Sequence, residues 1–247
     1  MTTLYIDIET IPAQRPDVLE EIRAAKQAEL DQAIAAIKPP GTYKKQESID
    51  EWMASEAPKV AQGLRDAFDA DVDATYRKTS FDGAFGQVCV IGWALDDFAA
   101  ETVAGQDEPA LLASFIKALS RDRINVFETC VVGHNVSAFD LRFLSHRHII
   151  NGIKPHPVIA RSSQAKPWES EKVFDTMVQW SGVGNRISLD KLCKALGVKS
   201  PKGELDGSKV WDYVKAGRLA EVADYCARDV DAVRKVHRLM TFQAIAA

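Results

Sequence analysis

The spacing of apolar positions changes several times along the chain, and each change predicts a different element. Residues 4–8 form an apolar run interrupted by an acid, which is typical of a strand. Residues 16–76 are rich in Ala, Glu and Lys with apolar residues near helical spacing, so we predict helices there. Within this stretch Ser48 and Glu51 have the spacing of a capping box, which predicts a helix start at Ser48.

Strand-like runs return in the second half of the chain. Residues 86–95 are a predicted strand, residues 100–105 a short hairpin partner, and residues 129–133 a buried strand. Helical spacing marks residues 108–121 and 137–152, and most of the chain after residue 188. A loop containing Pro and Ser covers residues 153–171. This order predicts an α/β domain with a central mixed sheet flanked by helices.

The helical stretch after the first strand carries a thin apolar stripe. A separate domain needs its own core. We therefore predict one domain over residues 1–247, with a helical insertion at about residues 13–80.

Composition excludes several classes of protein. The chain has 247 residues, 46% hydrophobic and 27% charged, with a formal net charge of −4. It contains no apolar run of the roughly 20 residues that a membrane span needs, and no global positive charge for gripping duplex over a broad face. The four cysteines are far apart, without a CxxC pair, so neither a zinc site nor a disulfide framework is predicted. No signal peptide is visible, and we expect a cytoplasmic location.

Two acids interrupt the first predicted strand. Asp7 and Glu9 are two positions apart, so both side chains leave the strand on the same face. By itself, this pair is equally consistent with a strand end at which acids reach solvent.

Two further acids lie in distant segments beside apolar structure. Asp140 follows the buried strand 129–133 and opens a helix, where a lone acid would simply complement the helix dipole. Tyr225 and Asp229 are four residues apart, on one face of the last helix. A surface Asp and a core Tyr would explain that pair equally well.

Together, these four acids predict a chemistry that none of them predicts alone. Clustering carboxylates is unfavourable by several kcal/mol unless cations neutralise them. Hard oxygen ligands suit Mg²⁺ or Mn²⁺, and two such ions can activate a water and stabilise the leaving oxygen in phosphodiester cleavage. The constellation predicts metal-assisted phosphoryl chemistry.

Three short motifs carry a family resemblance. "DIET" (7–10), "HNVSAFD" (134–140) and "YCARD" (225–229) resemble the exonuclease motifs of DEDD 3′–5′ exonucleases, in the DEDDy subclass with Tyr in the third motif. The chain is most similar to predicted exonucleases related to the exonuclease domain of family B DNA polymerases, over residues 3–12 and about 81–239. The resemblance implies an RNase H-like (DnaQ-like exonuclease) fold.

The resemblance also implies a role for each motif residue. Asp7 would bridge two Mg²⁺ or Mn²⁺ ions, Glu9 and Asp229 would bind the ion that holds the attacking water, and Asp140 would bind the other ion. Tyr225 would orient or help to deprotonate that water.

The same motifs imply contacts to the last nucleotides. Thr10, His134, Asn135 and Phe139 would lie at the nucleic acid, with Phe139 stacking on a base. Glu9 would accept a hydrogen bond from the terminal 3′-hydroxyl. His134 also fits a purely structural role, and we expect Asp175 to cap a helix or to sit beside the site.

The expected function is a metal-dependent 3′–5′ exonuclease that releases nucleoside 5′-monophosphates, with single-stranded DNA as the favoured substrate. Two alternatives stay open: an exoribonuclease resembling RNase D, and a non-catalytic nucleic-acid-binding accessory module of a polymerase. Expected partners are nucleic acid 3′ ends and replication or repair proteins, and no membrane.

Overall fold

A five-stranded mixed sheet lies at the centre of the protein, whose computed structural model describes residues 2–121, 124–166, 168–201 and 203–243. The strands are β1 (Thr2–Ile11), β2 (Gln87–Leu95), β3 (Glu101–Ala104), β4 (Thr129–Gly133) and β5 (Val173–Asp175). Their order across the sheet is β3-β2-β1-β4-β5. β1 pairs antiparallel with β2 and parallel with β4, while β4 pairs parallel with β5. β3 pairs antiparallel with β2, which confirms the predicted hairpin.

Helices cover both faces of this sheet. They are α1 (Pro16–Ala35), α2 (Gln46–Ser55), α3 (Ala57–Lys78), α4 (Glu108–Arg121), α5 (Asp140–Ile150), α6 (Pro157–Ser162), α7 (Thr176–Ser181), α8 (Leu189–Ala195), α9 (Val210–Lys215) and α10 (Leu219–Met240). Because side chains alternate along β1, its Leu4, Ile6 and Ile8 enter the core formed with α4 and α5. Tyr5, the residue after Leu4, packs instead with apolar residues of α10 on the opposite face of the sheet.

The helices α1 to α3 follow β1 and make few buried contacts of their own. α1 packs on α3, yet Val18 is its one buried residue. The end of α3 is tied back to the sheet, since the Tyr76 hydroxyl donates to the Ala13 carbonyl at 2.7 Å. Arg77 also pairs with Asp212 of α9 at 2.7 Å. These bonds fix the chain where it re-enters the sheet.

Two local predictions are wrong. α2 begins at Gln46 and Lys45 makes no side-chain cap, so Ser48 lies inside the helix and is not its cap. Its helical run ends at Ser55, and α3 starts afresh with Pro58 in its first turn, where the missing N–H of proline does no harm. The predicted loop 153–171 contains α6, which begins at Pro157 for the same reason.

No helix in the described parts of the chain combines the length and apolarity that a membrane crossing requires.

Candidate metal centre

The two acids of β1 face α10 at a place where helix and sheet come very close. Asp7 lies opposite Gly92 in the β1–β2 register. A Cβ atom on Gly92 would lie 2.8 Å from the Cys226 Sγ, which is too close for any real contact. Gly92 therefore lets α10 approach the sheet directly beside Asp7.

α10 turns three side chains of its "YCARD" segment toward this acidic strand. Tyr225 and Asp229 are each only 7% exposed, and the tyrosine hydroxyl hydrogen-bonds the Asp229 carboxylate. Cys226 lies between them, with its Sγ 3.4 Å from the Asp7 Oδ2. The predicted Tyr and Asp thus reach the predicted strand pair.

Asp140 joins the same cluster from the other side. It is the first residue of α5, and its Oδ1 accepts a hydrogen bond of 3.0 Å from the Ile8 backbone N–H, between the two acids of β1. The carboxyl is 3% exposed. The structure therefore brings the four acids together from three segments.

Three of the acids carry charges that no cationic side chain of the described residues balances. Burial, followed by the negative charges of Asp229, Glu9 and Asp140, raises the pKa of Asp7 well above its usual range. Burial and the neighbouring acids do the same to the pKa of Glu9, and burial raises the pKa of Asp140 to about 7. Among the described residues, no Lys or Arg forms an ion pair with Asp7, Glu9 or Asp140.

This donor set fits a hard divalent cation. Ligand atoms of Asp7, Glu9 and Cys226 all lie within 4.8 Å of one another. Carboxylate oxygens are the donors that Mg²⁺ and Mn²⁺ prefer, and binding would relieve the repulsion that raises the pKa values. Burial and Asp7 also raise the pKa of the Cys226 thiol well above its usual range. The thiol therefore stays protonated and donates to Asp7, a role that no pattern in the sequence indicates.

His134 is held on both sides by protein atoms. Its Nε2 lies 2.8 Å from the Ile187 carbonyl, and its Nδ1 lies 2.9 Å from the Thr176 Oγ1. Burial lowers the pKa of the imidazole. The neutral ring donates from Nε2 to the Ile187 carbonyl, which can only accept. This geometry favours the structural role over contact with nucleic acid.

Asp175 fixes the loop that follows β4. Its carboxylate accepts from the backbone N–H groups of Asn135 and Ser137, both at 3.0 Å, and from Met177 and Val178 at the start of α7. The predicted helix cap is confirmed. Asn135 takes the left-handed conformation with φ of +64°, which asparagine tolerates better than most residues.

An aromatic pair borders the acids near the end of β1. Phe139 precedes Asp140, and its ring centroid lies 6.5 Å from that of Phe81. Phe81 is 68% exposed and follows Ser80, whose carbonyl accepts from the Thr10 hydroxyl at 2.7 Å. The sequence carried no periodic or motif signal for Phe81, because its proximity depends on how the chain returns from α3.

The fold matches a solved structure. A family B DNA polymerase from the hyperthermophilic archaeon Pyrobaculum calidifontis aligns over 98% of this chain with a TM-score of 0.56 and 14% identity. The chain spans a quarter (25%) of the polymerase. This likeness and the mixed five-stranded sheet confirm the RNase H-like fold. A search of curated protein sequences gives no match.

The sequence itself identifies the family. A family described as predicted 3′–5′ exonucleases related to the exonuclease domain of PolB matches residues 82–237. The chain belongs to this family, which makes it a predicted 3′–5′ exonuclease with nucleic acid as the implied substrate class. Divalent metals are generally used by exonuclease domains of this kind. Asp140, Tyr225 and Asp229 lie inside the matched range, whereas Asp7 and Glu9 lie before it.

Proposed function

We propose that this chain is a metal-dependent 3′–5′ exonuclease that hydrolyses single-stranded DNA from its 3′ end and releases nucleoside 5′-monophosphates. The observation that carries the proposal is the meeting of four carboxylates from three segments, three of them without a cationic partner among the described residues. A fold without catalysis has no use for such repulsion, which argues against a purely binding module.

Asp7, Glu9, Asp140 and Asp229 would hold two Mg²⁺ or Mn²⁺ ions. When bound, these ions supply activation of the attacking water and stabilisation of the leaving 3′-oxygen. The rigid strand β1 keeps Asp7 and Glu9 at a fixed spacing, and the bond from Ile8 to Asp140 fixes the third carboxylate against them. The protein thus presents a preformed set of ligands.

Tyr225 orients the attacking water. Burial and then the charge of Asp229 raise the pKa of its phenol well above the usual range. The hydroxyl is therefore protonated in the metal-free protein, and it acts by hydrogen bonding. Glu9, at the end of the cluster nearest Thr10, accepts the terminal 3′-hydroxyl.

The last nucleotides contact Thr10, Asn135 and Phe139. Phe139 offers a ring face for stacking, and Phe81 extends the same aromatic surface. The Thr10 hydroxyl is occupied by the Ser80 carbonyl, so Thr10 also positions the chain that carries Phe81. His134 holds the Asn135 loop through the bonds to α7 and Ile187.

We further propose that residues 1–247 form one exonuclease domain in which α1 to α3 are an insertion. Proteins of replication or repair are the expected partners.

A panel of 5′-labelled oligonucleotides tests the proposal. With Mg²⁺ or Mn²⁺, we expect single-stranded DNA to be shortened stepwise from its 3′ end faster than recessed DNA or RNA of the same sequence. Intact oligonucleotides in the presence of normal binding would contradict it. Faster cleavage of RNA would support the same mechanism with RNA, and not DNA, as the substrate.

A further inference from the structure

A pocket of about 320 Å³, here called the β4–β5 pocket, lies beside the loops that follow β4 and β5. Its lining includes Asn135, Arg142, Val173, Asp175, Met177 and Arg186. Of the residues proposed above to contact the nucleotides, Asn135 alone lines this pocket. Its size is at the lower end of the range of small-ligand sites and suits a single nucleotide unit.

The pocket and the metal centre share the segment that leads into α5, since Ser137 and Ala138 line the pocket and Asp140 belongs to the acidic cluster. β1, β4 and β5 are parallel, so their carboxyl ends meet at one edge of the sheet. Asp140 and Arg142 both belong to the first turn of α5, with Asp140 directed at β1 and Arg142 lining the pocket. Parts of both sites therefore lie at the start of α5.

Two arginines that line the pocket form no ion pair with a described residue, whereas most of the described arginines do. Arg77, Arg147 and Arg218, for example, each pair with a carboxylate. Arg142 and Arg186 are exposed and form no ion pair with any described residue. Two guanidinium groups that line one pocket without an ion pair to a described residue fit the phosphate of a strand, because arginine donates two parallel hydrogen bonds to phosphate oxygens.

Arg186 is held in place although it lies on a loop. The next residue, Ile187, accepts the His134 Nε2 hydrogen bond at 2.8 Å. The preceding residue, Asn185, donates to the Ser181 carbonyl at 3.0 Å. His134 thus links the exonuclease motif "HNVSAFD" to the loop that carries Arg186.

The floor of the pocket is apolar. Val173 and Met177 are buried beneath it, which suits the face of a nucleobase. Asp175 is the one acid among the described residues of the lining, and its carboxylate accepts from four backbone N–H groups. Its negative charge is therefore partly compensated and repels a phosphate less. The combination of an apolar floor and a cationic rim favours a nucleotide over a purely apolar ligand.

We propose that the β4–β5 pocket binds one nucleotide upstream of the scissile bond, with the base over Met177 and the phosphate between Arg142 and Arg186. The proposal rests on the proposed exonuclease function and adds the path of the substrate strand to it. Contact with the base face makes this subsite tolerant of sequence.

Two substrates separate this subsite from the metal centre. One is a 5′-labelled oligothymidylate, and the other is the p-nitrophenyl ester of thymidine 5′-monophosphate, which has no upstream nucleotide. For the double variant Arg142→Ala/Arg186→Ala of the full chain, we expect the ratio of kcat/KM for the oligonucleotide to kcat/KM for the ester to fall roughly tenfold or more. Arg65 is another exposed arginine without an acidic partner among the described residues, and it serves as the control. The variant Arg65→Ala should leave the ratio of the two kcat/KM values unchanged.

Binding without turnover provides an independent measurement. With Ca²⁺ in place of Mg²⁺, fluorescence anisotropy of the labelled oligothymidylate should show weaker binding by the double variant. The slope of log affinity against log salt should also decrease by about 0.7 for each phosphate that the variant no longer neutralises. Restoring charge with Arg142→Lys/Arg186→Lys should recover part of the affinity.

The outcomes are distinct for the two proposals. An unchanged ratio and unchanged oligonucleotide affinity in the double variant would overturn the subsite, whether or not the protein cleaves DNA. An equal loss on both substrates would also overturn it, since the arginines would then act at the metal centre. If the wild type binds the strand through these arginines but cleaves neither substrate, the subsite stands and the exonuclease function fails.

Discussion

Two buried glutamates of this chain have opposite surroundings. Glu108 is 3% exposed and receives hydrogen bonds from Arg147 Nε and Nη2, the shorter at 2.7 Å, from Asn151 at 2.8 Å and from the Val88 N–H at 2.8 Å. Glu9 is 8% exposed and faces Asp229 and Asp140. No described residue donates a hydrogen bond or an ion pair to the Glu9 carboxylate.

The difference shows what an uncompensated acid means in this protein. The fold supplies an arginine, an amide and a backbone donor where a buried carboxylate has only to hold α4 against α5. At the end of β1 the same fold supplies further acids. Because a buried charge without a partner is strongly unfavourable, the second arrangement points to a cation that comes from outside the chain.

Asp7→Asn should have the largest effect on activity. Metal ions supply several kcal/mol of transition-state stabilisation, so removing a carboxylate from the centre of the cluster should lower kcat by roughly a thousandfold or more. The thermal stabilisation by Mn²⁺ should decrease in the same variant. The exposed Asp66→Asn serves as the control and should retain both properties. Near-normal turnover by Asp7→Asn would refute the assignment of the metal centre.

Arg147→Met should have the largest effect on stability. It leaves Glu108 buried without its cation, which costs about 3–5 kcal/mol of unfolding free energy. Urea unfolding measures the change, and Glu108→Gln added to the same chain should recover most of it. The matched change Glu9→Gln should instead stabilise the metal-free protein. A loss of stability in Glu9→Gln would mean that Glu9 is compensated after all.

The pH dependence of metal-free stability follows from the raised pKa values. Because the pKa of Asp140 rises to about 7, the folded protein retains a proton that the unfolded chain releases above about pH 4. The contribution of this group to stability is therefore lost as the pH rises from about 4 to about 7. His237 works in the opposite direction, since burial lowers its pKa to about 4 and stability falls as the pH drops below about 6.5.

The variant Asp140→Asn separates the contribution of the Asp140 carboxyl to this pH dependence from that of His237. In EDTA, its stability relative to the wild type should increase as the pH rises from 4 to 7, as measured by denaturant unfolding at several pH values. The asparagine Oδ1 can still accept from Ile8, so the geometry is kept. A difference that does not change with pH would show that Asp140 is ionised throughout.

Tyr225→Phe should have the smallest of these effects. Losing one orienting hydrogen bond should lower kcat by about tenfold, while the Mn²⁺ affinity stays near that of the wild type. Parallel kinetics and metal titration make the test. If metal affinity fell by the same factor, Tyr225 would act by supporting Asp229 as a metal ligand and would not orient the attacking water.

Much of the architecture followed from local patterns. The strand at residues 4–8, the β2–β3 hairpin and the amphipathic last helix were predicted from spacing alone. The buried strands are short apolar runs, and the last helix buries one regular face. The helix start at Ser48 was predicted wrongly, since a capping pattern inside a polar helix competes with neighbouring residues of equal propensity. The four acids were found because they alternate or repeat on regular elements within recognisable motifs.

The sequence by itself determined most of the elements, the family and the residue types that bind hard cations. Only the tertiary structure decided the bond from Ile8 to Asp140, the approach of Cys226 over Gly92, and the meeting of Phe81 with Phe139. It also decided that both nitrogens of His134 are occupied and that Arg142 and Arg186 share one pocket. These contacts join segments that are far apart in the chain, and their distances depend on how helices pack against the sheet. Local periodicity carries no information about that packing.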